Sequence, residues 1–117
     1  MSSPIGGSFG GKDDFHVQPV IALLAQATGR PVRQVWSRAE SFLVGPKRHP
    51  ARMKMRTSCT ADGRLLSHEL DLLLDTGAYM AHGPEVLDTG LESALCGYAF
   101  EASAVSGRLA YTNNGVS

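Results

Sequence analysis

Four glycines, Gly6, Gly7, Gly10 and Gly11, bracket Ser8 and Phe9 and run into Lys12, Asp13 and Asp14. Glycine lets backbone N–H groups converge without side chains in the way. A loop of that kind leading into a helix can hold an anion or the polar edge of a cofactor. Gly-Gly-Lys-Asp lacks the Ser/Thr that follows Lys in a P-loop, and no strand precedes it as a dinucleotide fingerprint requires. The same glycines could form a flexible leader, although a leader has no need of Phe9. Asp13 and Asp14 sit at a helix start, where capping competes with action on a ligand. No second carboxylate can be placed beside them, so a general acid–base pair cannot be argued.

Elsewhere the chemistry-bearing residues are dispersed. His16, His49, His68 and His82 make no metal signature, and His68 reads as a hydrogen-bonded core histidine on an apolar strand face. Cys59 and Cys96 form no CxxC or Cys/His cluster, which argues against zinc or iron–sulfur ligation by these residues. They are expected either as reduced core thiols or as one disulfide. Lys47-Arg48-His49-Pro50 is a compact basic cluster that could meet phosphate or lie in a solvated turn.

The elements that must position these residues follow from periodicity. Val17, Val20, Ile21, Leu24 and Ala25 recur at helical spacing after Asp13 or Asp14 as cap. Pro19 fits if the helix begins near Gln18, and Gly29 and Pro31 end it. Val32 to Trp36 reads as a short strand. Ser37-Arg38-Ala39-Glu40 matches a capping box opening a short helix that stops at Gly45-Pro46. Ala51 to Thr60 alternates Met53, Met55, Thr57 and Cys59 against Arg52, Lys54, Arg56 and Ser58. Asp62-Gly63 turns the chain, and Leu66, His68, Leu70, Leu72 and Leu74 share one face of the returning strand. Glu69, Asp71 and Asp75 on the other face invite cross-strand pairing with the cationic arm. A helix over 84–96 and a strand from Ala102 to Tyr111 complete the order. The expected class is α+β: an antiparallel or mixed sheet with a long hairpin and helices packed on one face, a two-layer sandwich.

Composition bounds the function. The chain has 117 residues, 11 basic and 11 acidic, with 43% hydrophobic and 19% charged residues. That length and balance predict one domain with a core, residues 1–117. Zero net charge argues against a dedicated nucleic-acid binder. No apolar run approaches ~18 residues, which argues against a membrane span. Met-Ser-Ser-Pro followed by glycines has no basic or apolar signal-peptide region, so a cytoplasmic setting is expected.

The ordered motifs carry a resemblance. Ile5-Gly6-Gly7-Ser8-Phe9-Gly10-Gly11-Lys12-Asp13 resembles the Gly-Gly-x-Phe-Gly-Gly-Lys-acid motif of the xanthine dehydrogenase and aldehyde oxidase family, the molybdenum hydroxylases. The likeness continues through Thr28-Gly29-Arg30-Pro31-Val32-Arg33, Ser37-Arg38-Ala39-Glu40 and Lys47-Arg48-His49-Pro50. It reaches Asp62-Gly63-Arg64, Asp75-Thr76-Gly77-Ala78-Tyr79 and Arg108-Leu109-Ala110-Tyr111-Thr112-Asn113, and so spans nearly the whole chain.

The resemblance implies a piece of a molybdopterin-binding subunit, whose cofactor in bacteria is often the cytosine dinucleotide form. That family hydroxylates a carbon of an N-heterocycle or aldehyde with oxygen from water. Electrons leave through [2Fe–2S] clusters to FAD on other domains or subunits. By position, Gly7, Ser8, Phe9, Gly10 and Gly11 match the cofactor-facing loop. Asp13 matches a substrate-orienting acid that is a glutamate in the xanthine enzymes. The family's Arg-Gly-Phe-Gly run and catalytic glutamate have no counterpart in these 117 residues, so no catalytic residue and no metal ligand are expected here. The piece alone is expected to be inactive, to bind no cofactor, and to have a mobile loop over residues 1–12. The competing reading is a non-catalytic α+β interaction module of a larger assembly.

Overall fold

The computed structural model describes residues 4–115; Ser2 and Ser3 of the leading run, Val116 and Ser117 lie outside the described residues. The chain divides into two compact units, Met1–Lys47 and Arg48–Ser117.

The first unit carries two helices. α1 spans Gln18–Thr28, with Pro19 in its first turn and Gly29 closing it at φ +62°, the left-handed conformation that suits glycine. Neither Asp13 nor Asp14 caps it. Val17 is the N-cap with no side-chain cap bond, and Gln18 Oε1 instead accepts the His16 N–H at 2.8 Å. α2 spans Arg38–Val44 and has the expected capping box: Glu40 N–H donates to Ser37 Oγ, and Ser37 N–H to Glu40 Oε2. Val32 to Trp36 forms no strand, because no neighbouring strand takes up its backbone groups. Trp36 lies instead tilted against His16, ring centroids 6.0 Å apart and planes at 51°. No described residue of this unit is buried.

The second unit is a three-stranded sheet with one helix. β1 (Ala51–Cys59) pairs antiparallel with β2 (Leu65–Gly77), and β3 (Ala102–Tyr111) pairs parallel with β2 on its other side. The sheet is thus mixed, because α3 (Gly83–Glu92) supplies the crossover that a parallel return requires. The hairpin turn runs from Thr60 to Arg64 with Gly63 at φ +90°. Leu70, Leu72 and Leu74 are the buried apolar core, and Leu87, Leu91, Ala94, Val105 and Leu109 pack against them.

α3 seats closely because two glycines make room. A Cβ on Gly107, which pairs with Leu72, would lie 2.7 Å from Leu87 Cδ1 and 2.9 Å from Leu91 Cδ1. Thr76 is fully buried, with its hydroxyl on the carbonyls of Tyr79 and Met80, and Gly83 lies against it.

A latch closes the far end of the sheet. Asp75 Oδ1 accepts from the Gly77 N–H at 2.8 Å and the Thr112 hydroxyl at 2.7 Å, and Asp75 Oδ2 accepts from Asn114 Nδ2. The Thr112 N–H returns to the Gly77 carbonyl at 3.0 Å. These bonds, the Thr112 hydroxyl above all, hold the Asp75 carboxyl below its ordinary 3.8. His49 lies close enough to feel Asp75 and His82. Burial pushes its imidazole below 6.5, opposed by Asp75 and reinforced by His82.

Gly107→Ala is expected to cost about 1–3 kcal/mol through overpacking against the α3 leucines. Exposed Ser103→Ala should stay within about 0.5 kcal/mol. Denaturant melts of the two variants compare them directly; equal midpoints would show that α3 does not sit on Gly107. Both His49 and Asp75 bind fewer protons folded than unfolded. Their stabilisation is therefore full above 6.5 and above 3.8 respectively, and is lost as pH falls through each window. His49→Gln should remove the upper loss and Asp75→Asn the lower one, as read from melts at stepped pH.

Candidate functional site

The glycine loop is a closed turn. Gly11 N–H donates to the Ser8 carbonyl at 3.0 Å across Phe9 and Gly10. Phe9 has φ +52° and Gly10 φ +84°, the paired positive angles of a primed turn. Gly10 adopts that angle without steric cost, whereas for Phe9 it is a strained state of order 1–3 kcal/mol. The Phe9 ring is nonetheless 92% exposed, so no burial of the ring offsets the strain. The Phe9 ring lies over Gly7: a Cβ there would come within 2.5 Å of it and would push the exposed ring aside.

Side chains brace the turn from below. Ser8 Oγ accepts the Lys12 N–H at 3.2 Å and donates to Asp13 Oδ1 at 2.7 Å. Lys12 Nζ donates to the Gly6 carbonyl at 2.9 Å. The Phe9 and Gly10 N–H groups make no hydrogen bond among the described residues, and no atom stands within 4 Å of where a Gly10 Cβ would be. The arrangement offers two backbone donors, an exposed aromatic face and one carboxylate oxygen within a single seven-residue loop. The two backbone donors fit the oxygen-rich edge of a polar cofactor or an anion, whereas the carboxylate oxygen fits an N–H donor.

The other motif residues are employed structurally. Lys47 Nζ donates to the Ser41, Gly45 and Pro46 carbonyls and lies 5.6 Å from the Phe42 ring centroid, so it closes the C-terminal end of α2. Arg56 pairs with Glu69 at 3.8 Å. Asp71, opposite Lys54 in the ladder, pairs with Arg108 of β3 at 3.2 Å. His68 is buried with Nδ1 2.9 Å from the Thr57 hydroxyl, the hydrogen-bonded core histidine its position predicts. Cys59 and Cys96 are free and exposed, neither core thiols nor a disulfide: Cys59 ends the edge strand β1, which is exposed along its length, and Cys96 lies in the turn after α3. Ile5 and Phe9 are both exposed.

Among the described residues no group of three His, Cys, Asp or Glu side chains could hold a metal ion. No described helix is long and apolar enough to cross a membrane. Sequence reasoning missed Ser8 as the organiser of the loop. Its signal was available: a hydroxyl residue followed four and five positions later by an N–H and a carboxylate it can bridge.

Comparison with known proteins agrees with the motif series. A family model described as "Molybdopterin cofactor-binding domain" matches residues 1–117. The chain is 46% identical over 116 residues to a probable xanthine dehydrogenase subunit of Bacillus subtilis, covering 99% of this chain and 16% of that protein. It is 42% identical to the "Nicotinate dehydrogenase large molybdopterin subunit" of Eubacterium barkeri, covering all of this chain and 28% of that one. The solved aldehyde oxidoreductase of Desulfovibrio gigas superposes with a TM-score of 0.83 at 31% identity, over 96% of this chain and 12% of that one. The chain thus spans less than a third of the length of these proteins. By motif order, fold and sequence alike, the chain belongs to the molybdopterin cofactor-binding domain family of the xanthine dehydrogenase and aldehyde oxidase proteins.

Proposed function

We propose that this chain forms one wall of the molybdenum-cofactor site in a larger, cytoplasmic hydroxylase subunit. In this reading Gly7, Ser8, Phe9, Gly10 and Gly11 face the cofactor and Asp13 orients the substrate. The observation that carries it is the strained Phe9 backbone beside Gly10, the N–H groups of both residues having no partner among the described residues. Strain of that kind persists where a ligand uses it. When bound, the molybdenum cofactor supplies the two-electron chemistry that moves oxygen from water to a carbon of an N-heterocycle or aldehyde.

The residues of this chain contribute binding and orientation. The Phe9 and Gly10 amides donate to acceptor atoms at the cofactor edge. The Phe9 ring presents an apolar face that excludes water beside those donors. The Asp13 carboxylate accepts an N–H of the bound heterocycle and fixes its orientation. Gly10, where no atom stands within 4 Å of a Cβ position, keeps the approach free of side chains. The remaining walls, the proton-transfer groups, the [2Fe–2S] clusters and the FAD belong to other parts of the assembly in this reading.

In the complete subunit, Gly10→Val should cut the bound molybdenum and pterin to under about a tenth of the unaltered level, since a β-branched residue opposes the left-handed backbone. Elemental analysis and pterin fluorescence read the loss, with proteolytic resistance as the folding control. Full cofactor retention in Gly10→Val would sink the proposed role of this loop. The 117-residue chain alone should carry neither stoichiometric molybdenum nor hydroxylase turnover. Either one would overturn the assignment of the other walls to other parts of the assembly.

A further inference from the structure

The Ser8 hydroxyl is committed on both sides. Its lone pair takes the Lys12 N–H at 3.2 Å and its single proton goes to Asp13 Oδ1 at 2.7 Å. The carbonyl of the same residue takes the Gly11 N–H. Ser8 therefore ties residues 11, 12 and 13 in succession, and its rotor has no freedom left. Hydrogen bonds to an ionised carboxylate are the stronger kind, and 2.7 Å is a short one for a hydroxyl donor. An exposed aspartate without such a bond samples its staggered rotamers. Here Oδ1 is engaged, while Oδ2 has no hydrogen-bond partner among the described residues.

We propose that Ser8 is a positioning residue for Asp13, holding one carboxylate rotamer through Oδ1 with Oδ2 open as an acceptor. A ligand N–H, such as a ring N–H of an N-heterocycle, then meets the carboxylate in one preset orientation. The proposal rests on the reading that Asp13 faces the substrate, and it adds to that reading what sets the carboxylate.

Two measurements separate the proposal from that reading. In the 117-residue chain, Hα–Hβ couplings should report one Asp13 rotamer and the Lys12 amide should exchange slowly. Ser8→Ala should average the couplings and Ser8→Thr should restore them; averaged couplings in the unaltered chain would overturn the proposal. In the complete subunit, normalised to molybdenum content, kcat/KM for an N-heterocycle that presents a ring N–H is divided by that for an aldehyde, which presents none. The ratio should fall about tenfold in Ser8→Ala, the scale of one well-placed hydrogen bond, and recover in Ser8→Thr. If Asp13→Asn shifts the ratio and Ser8→Ala does not, the substrate reading stands and the positioning proposal is overturned. If neither variant shifts it while Ser8→Ala still frees the rotamer, Asp13 does not meet substrate, and both fall.

Discussion

The second unit depends on one row of three leucines. Among the described residues, Leu70, Leu72 and Leu74 on β2 are its only buried large apolar side chains, and β2 is the strand paired on both sides. Burying that row requires a helix at close range, and close range requires that no side chain project from β3 at Gly107. Leu87 and Leu91 fill that notch, one helical turn apart on the face that α3 turns to the sheet. Each leucine side chain moved from water contributes about 1.5–3 kcal/mol, so a core this small is sensitive to a single methyl group. The parallel pairing of β3 follows from the same helix, which returns the chain to the end of the sheet where β2 began.

Local hydrogen bonding does in the first unit what apolar packing does in the second. No described residue there is buried, yet its turns and helix ends are specified. Ser8 closes the glycine loop, the Ser37–Glu40 box opens α2, and Lys47 closes it. These contacts join residues within six positions of one another, so they form without any distant partner. The loop with the candidate binding chemistry is therefore shaped by its own sequence, with a strained Phe9 at its tip that internal packing does not explain. The Asp75 latch is the opposite case. It joins residues 37 and 39 positions apart through a single carboxylate.

Several expectations fail for reasons the structure makes plain. Met53 and Met55 lie on the same sheet face as the buried leucines, as alternation predicts, but α3 covers β2 and β3 and leaves β1 at the edge, so they are exposed. Periodicity assigns a face; it does not say how far a covering helix reaches. The helix expected over 84–96 ends at Glu92 with Val86 exposed, and Ala94, beyond the helix, takes a place against the core. Alternation offers Asp71 to the cationic arm across the hairpin, but β3 brings Arg108 to it instead. Cross-strand rules pair only the strands that are known to be neighbours.

The elements and the loop were legible in the residues alone: α1 closing at Gly29, the capped α2, the hairpin turning at Asp62-Gly63, β3 from Ala102 to Tyr111, and the motif series that points to the family. These rest on short-range rules of dihedral preference, capping and alternation, which act over a few residues and are written in them. It took the folded chain to establish that β3 runs parallel to β2, that Gly107 is the seat of α3, that Asp75 gathers Thr112 and Asn114, and that both cysteines stay exposed. Those outcomes depend on which distant elements become neighbours, and on where one short helix stops covering a three-stranded sheet. Ser8 stands between the two cases. Its reach to Lys12 and Asp13 is local, but only the fixed turn around Phe9 and Gly10 brings the hydroxyl and the carboxylate within 2.7 Å.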